Sequence, residues 1–300
     1  MDINVLFVDN EEEKQMREDR LEIDEFLYRV NSYFFTQNIN FKLISFNRDR
    51  PVEHYREVIN ESTVVLFTCY NEFEPAVKRM FEITNEEFKK TENPSFVPLF
   101  YFRKTQNAKF GVKSFKDLLV ENNLFYSNYD DAAIMKLILL FVIKDHRLND
   151  MKIEFEDDEI KIDLKDSSIK PFNIPFVANY KDLKNLIFER DKMASKVRAL
   201  GGRFLLDTNN KDAELDFKNQ TLEKEKITQD ILQYEFEVLA IIESLVKVLY
   251  GSPKHIAALQ KALDYLDDGD FEGFNSIINC DEIIKMYIKE KNKNKKKKKK

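Results

Sequence analysis

The sequence predicts an α/β protein whose parallel sheet is covered by helices on both faces. Two observations carry this. Between residues 3 and 148 a short apolar run alternates five times with a longer amphipathic one. The apolar runs lack the polar-out alternation of a sheet with one wet face, so each reads as a strand buried on both sides. Sheets built from such βα rounds bind ligands at the carboxyl ends of their strands.

The predicted strands are 3–8, 41–46, 63–68, 96–102 and 124–126. Pro98 in the fourth removes a ladder donor, which places that strand near an edge or at a local break. In the first helix Ile23, Phe26, Leu27, Val30, Tyr33 and Phe34 follow the spacing of one buried face. The last helix, about 131–148, sets Ile134, Leu137, Ile138, Phe141 and Val142 on one side, with Asp130 and Asp131 where an N-cap belongs. This first domain is expected to cover residues 1–148.

A period-two alternation over 151–156 and 159–164, turning at Asp157-Asp158, predicts a β-hairpin, and Pro171 and Pro175 mark an irregular connector, together 149–178. An all-α region, 179–290, is expected next. Leu183, Leu186, Ile187, Met193, Val197 and Leu200 form a stripe that Gly201-Gly202 is expected to end. A long helix over about 213–250 carries Leu222, Ile227, Ile231, Leu232, Phe236, Leu239, Ile242 and Val246. The pair is expected to form a helical hairpin with coiled-coil character. Residues 262–274 read as two short helices joined at Gly269-Asp270, either one tetratricopeptide-like unit or a plain helical cap.

Net charge is −6, but eight of the last ten residues are lysine, so the rest of the chain carries −14. An acidic body argues against duplex nucleic acid as the main partner. The tail, 291–300, is either a disordered end or an attachment to nucleic acid or an anionic membrane. Cys69 and Cys280 are too few and too far apart for a disulfide framework or a zinc site, which fits a reducing, cytoplasmic setting. The acidic start, with Asp2, Asp9 and Glu11 to Glu13, does not read as a secretory signal. The run 134–143 contains Lys136 and is too short to span a bilayer.

Few catalytic patterns fit. No glycine-rich phosphate loop follows the first strand, and no G-x-S-x-G elbow occurs. His54, His146 and His255 have no metal-ligand spacing, and no metal is expected. The candidates lie where strands end. Asp9 and Asn10 follow the first strand, either as the polar floor of a pocket or as caps of the next helix. Arg48 and Arg50 follow the second strand and suit an anion.

The run Val5-Leu6-Phe7-Val8 precedes an acidic helix with Glu18-Asp19-Arg20. Asn40-Phe41-Lys42-Leu43, the segment 59–67, Phe81-Glu82-Ile83-Thr84 and the segment 88–94 follow in order. In these pieces the chain resembles the TIR-like domains of prokaryotic defence and signalling proteins. The resemblance implies a flavodoxin-like parallel sheet of five strands. It implies NAD⁺ as a substrate, cleaved at the nicotinamide–ribose bond on oligomerisation, with no permanently bound cofactor. It also implies partnership with other TIR domains or self-association through the helical region. A carboxylate would steady positive charge on the ribose. One register puts Met80 at the position of the family's glutamate; a second puts Glu72 there. The first favours a non-catalytic adaptor or scaffold, the second an NAD⁺ glycohydrolase.

Overall fold

The computed structural model describes residues 1–10, 13–90, 94–105, 110–130, 132–156, 159–164, 172–175, 180–206, 210–251 and 256–280. The chain forms two compact units, residues 1–177 with 242–279, and 178–241 with 280–300. The expected helical region 179–290 is therefore divided between them.

In the first unit, β1 (Asp2–Val8), β2 (Asn40–Ser45), β3 (Val64–Cys69), β4 (Val97–Arg103) and β5 (Ser127–Tyr129) form one parallel sheet in the order β2-β1-β3-β4-β5. Alternation sends Leu6, Val8, Val65, Phe67, Phe100 and Phe102 to one face. There they join residues of α2 (Val52–Glu61), α3 (Pro75–Lys89) and α4 (Phe110–Glu121) in one apolar core. Ile3, Val5, Phe7, Val64 and Leu66, of opposite parity, are equally buried. On the other helices, α1 (Lys14–Phe34) and α5 (Ala133–Arg147), Glu22 and Lys136 form an ion pair at 2.6 Å. Arg56 of α2 bridges to Glu86 (2.7 Å) and Glu87 of α3.

The Pro98 expectation has a geometric answer. The Val97 N–H donates to Thr63 O, so Pro98, one residue on, turns its nitrogen away from β3. On that side β5 pairs only with Tyr101, Phe102 and Arg103. The missing donor thus falls where β4 has no neighbouring strand.

Three expectations need correction. The fifth strand is Ser127–Tyr129 rather than 124–126. Asn123 ends α4 in the left-handed region (φ 60°), with Leu124 N–H returning to Leu119 O. Leu124 and Tyr126 then serve the apolar core rather than the ladder. The N-cap of α5 is Ala132 without a side-chain bond, while Asp130 pairs with Lys104 at 3.6 Å; Asp131 lies outside the described residues. Tyr33 is exposed, whereas the other five predicted positions of α1 are buried.

The predicted hairpin is present as β6 (Met151–Glu156) and β7 (Glu159–Leu164), but the expected connector adds a strand, β8 (Phe172–Pro175), antiparallel to β7. Pro175 ends this edge strand, where a missing donor costs little. In the second unit, α6 (Lys181–Leu206) runs through Gly201-Gly202 instead of stopping there. A Cβ on Gly201 would sit 3.3 Å from the Phe217 ring of α7 (Lys211–Gly251), and Phe204 stacks on that ring at 6.3 Å. Bare backbone lets the helices approach, which offsets glycine's helix cost of about 1 kcal/mol. Asn210 caps α7 through the Ala213 N–H at 3.0 Å. From Ile242 on, α7 belongs to the first unit, where Glu243 meets Lys144 of α5 at 3.4 Å.

The pair α8 (Ile256–Asp268) and α9 (Phe271–Ile277) turns at Gly269 (φ 74°) and Asp270. Asp270 caps α9 by accepting the Gly273 N–H at 2.8 Å. Of the two, α8 packs on β5. A Cβ on Gly273 would lie 2.5 Å from Asp270 Oδ2 and 2.7 Å from Tyr265 Cδ1. Gly273→Ala is expected to displace the cap and cost about 1 kcal/mol, readable as a lower denaturant midpoint at unchanged slope.

Among the described residues no helix is long and apolar enough to cross a membrane. The Lys-rich tail lies outside the described residues.

Candidate functional site

The chain leaves β1 sideways to β2, then returns to the other side for β3, β4 and β5. The loops after β1 and β3 therefore diverge, and open sheets bind ligands in the crevice at such a point. Asp9 and Asn10 follow β1 on one side of it, and Asn71 and Glu72 follow β3 on the other.

Asp9 and Asn10 are both buried. The N-cap residue of α1 is Glu13, without a side-chain cap bond, so neither of them serves as the helix cap. Asp9 Oδ1 instead lies 3.4 Å from Arg20 Nη1 on α1. Across the crevice, Glu13 Oε1 accepts the Asn71 N–H at 3.2 Å, tying the β1 and β3 loops together. Thr105, after β4, donates to Asn71 Oδ1 at 3.3 Å, and the Cys69 thiol donates to Glu72 O at 3.2 Å. Phe73 stacks on Phe115 at 3.7 Å, nearly parallel, and Pro75 opens α3. Glu72 is thus held through its carbonyl by Cys69 and through its neighbour Asn71 by Glu13 and Thr105, and the residue is half-buried.

Met80 lies elsewhere. It faces the apolar core between the sheet and α2–α4, 2 % exposed, and its carbonyl accepts the Thr84 hydroxyl at 2.8 Å. Of the two residues, only Glu72 lies past the carboxyl end of β3. Arg48 and Arg50 lie on the neighbouring loop after β2 and are exposed. Asn47 builds that loop: its Oδ1 accepts the Asp49 N–H at 2.9 Å, its O accepts the Arg50 N–H at 3.1 Å, and Tyr55 OH accepts its N–H at 2.8 Å. The arginines are displayed at the rim and are not buried with Asp9 and Asn10.

A second polar group closes the same edge on the α1 face. Asp19 accepts from Arg103 and, at 2.7 Å, from the Tyr129 hydroxyl, and the Arg103 guanidinium lies 5.7 Å from the centre of the Tyr129 ring. Burial pushes the Asp19 carboxyl above its usual value, against the pull of Tyr129 and Arg103. Burial and the Asp19 charge hold the Tyr129 phenol well above its own. One signal pointed here: Asp19 falls on the stripe of Met16, Ile23, Phe26 and Val30, where a carboxylate needs a buried partner. Glu13, Asn71 and Thr105 have no such signal, since their contacts join loops far apart in sequence.

On the opposite face Lys116 of α4 donates to Asn128 Oδ1 at 2.5 Å, between the rings of Phe102 (4.8 Å) and Tyr126 (5.0 Å). Burial lowers its pKa. Burial raises the Cys69 thiol to about 12.

Among the described residues no group of three or more His, Cys, Asp or Glu side chains is placed to hold a metal ion. His255 lies outside the described residues. Comparison with known proteins found no matching family model, no matching curated protein and no matching solved structure.

Proposed function

We propose that the chain is a TIR-like signalling or defence protein whose crevice between β1 and β3 takes NAD⁺, with Glu72 as the charge-stabilising carboxylate. The observation that supports this reading is the hydrogen-bonded Asn71-Glu72 loop after β3, at the point where such sheets bind ligands. The chemistry follows from the charges. Nicotinamide leaves with the electron pair of the ribose C–N bond, so positive charge gathers on the ribose as the bond breaks. A nearby carboxylate lowers that barrier. Water then adds to the anomeric carbon and releases a proton. The exposed Arg48 and Arg50 offer partners for the pyrophosphate.

Incubating concentrated protein with NAD⁺ is expected to release nicotinamide. Glu72→Gln should cut that release by about 100-fold or more, the scale of losing one charge-stabilising group. Absence of release from wild type, also when it is artificially oligomerised, would reject the reading.

A second reading is a non-catalytic adaptor that binds other TIR domains or a nucleotide. It is supported by exposed Phe188 and Leu205 on α6 and Leu215 and Leu222 on α7, apolar side chains suited to association. NAD⁺ turnover that depends on one carboxylate of the crevice would reject this one.

A further inference from the structure

Strand β3 is apolar but for one hydroxyl. Thr68 is 1 % exposed, and among the described residues its Oγ1 has no hydrogen-bond partner. A buried hydroxyl without a partner costs stability. Valine has the same shape, suits a strand as well and avoids that cost. The hydroxyl therefore calls for a reason other than folding.

Its position supplies one. Phe67 and Cys69 belong to the core shared with α2–α4, so alternation turns Thr68 to the α1 face. On β1, Val8 stands beside Phe67, and the next residue, Asp9, reaches Arg20 of α1. On β4, Tyr101 stands beside Thr68, and Arg103, two residues on and of the same parity, reaches Asp19 of α1. With β3 between β1 and β4, the hydroxyl lies between two ion pairs, Asp9–Arg20 and Asp19–Arg103, and bonds to neither. Each carboxylate there is matched by a guanidinium. An arriving charge would find its counter-charge engaged. An uncharged group that both donates and accepts would meet the hydroxyl on one side and a carboxylate on the other, and a sugar hydroxyl is such a group.

We propose, on the NAD⁺ reading above, that Thr68 Oγ1 is the contact for a ribose hydroxyl, seated beside Asp9 at the floor of the crevice between β1 and β3. The ribose oxygen accepts the Thr68 proton, and its own proton turns to the Asp9 carboxylate. Thr68 is then a binding residue on the α1 side of the crevice, separate from Glu72 on the β3–α3 loop. Beyond the two strand ends the loops meet through the Glu13–Asn71 bond, one ordinary hydrogen bond, which the ligand's own bonds replace as it enters.

The test uses the full chain and ADP-ribose, which keeps both riboses of NAD⁺ and has no bond to nicotinamide left to break. Thr68→Val removes the hydroxyl at nearly constant shape. It is expected to unfold at an equal or higher denaturant midpoint, while its calorimetric Kd for ADP-ribose rises about tenfold, the scale of a ligand group left without its partner. Thr68→Ser keeps the hydroxyl and gives up a methyl group, so it is expected to unfold at a lower midpoint and to bind close to wild type. A purely structural hydroxyl would move stability and binding together in both variants. Thr68→Val that binds as wild type does, or that unfolds at a clearly lower midpoint, overturns the proposal, and so does wild type that does not bind ADP-ribose. The nicotinamide assay decides the NAD⁺ reading separately, so release by wild type beside unchanged binding by Thr68→Val would reject the Thr68 contact alone.

Discussion

Met80→Glu is expected to destabilise the protein by about 4 kcal/mol or more and to confer no NAD⁺ turnover. The side chain is 2 % exposed and sits in the core beneath β3 with Val65, Phe67, Val77 and Phe81. A carboxylate placed there loses its water without gaining a partner, so it stays protonated near neutral pH or forces the core open. Chemical denaturation gives the stability loss, and a nicotinamide assay gives the activity. A stable Met80→Glu protein that cleaves NAD⁺ faster than wild type would show that the catalytic position is Met80, and would remove Glu72 from that role.

The second large effect is expected at Asp19. Asp19→Ala strips the partner from Arg103 and from the Tyr129 hydroxyl in one step. Breaking a buried pair from one side costs about 3–5 kcal/mol; Arg103 keeps some solvent access, so the lower end applies. The pH dependence has a definite sign. Burial raises the folded pKa of Asp19 above its unfolded value, so its favourable contribution is complete below the unfolded pKa, about 4. That contribution is lost as pH rises through the folded value. Wild-type stability relative to Asp19→Asn is therefore expected to fall as the solution is brought from pH 3.5 towards neutrality. A difference that instead grows with pH would mean that Arg103 outweighs burial.

The sheet was legible in the sequence because strands buried on both faces leave long apolar runs, and four of the five strands begin within one residue of the predicted positions. The fifth was misplaced for a physical reason. Leu124 and Tyr126 are apolar because they cover the core after a left-handed turn, whereas Ser127-Asn128-Tyr129 needs no apolar run when one side of it meets helix side chains. Gly201-Gly202 misled in the opposite direction, since a glycine that admits a neighbouring ring spells the same as one that ends a helix. At the site, Asp9 and Asn10 were readable as polar residues just past a strand end, and Glu72 only through the family resemblance. Glu13 and Thr105 meet Asn71 across 58 and 34 residues of chain, and no local pattern records such bonds. Arg48 and Arg50 were legible as loop residues of the same edge, and both are exposed.

The thiol of Cys69 offers a clock for the loop that carries Glu72. Burial pushes its pKa up to about 12, so little of it is thiolate near neutral pH, and thiolate is the species that alkylating reagents attack. The same sulfur is buried and donates to Glu72 O. Each labelling event therefore requires the β3–α3 loop to lift away and the proton to leave together. The rate of iodoacetamide capture at Cys69 thus reports the fraction of time that loop is open, and a ligand seated in the crevice should lower it.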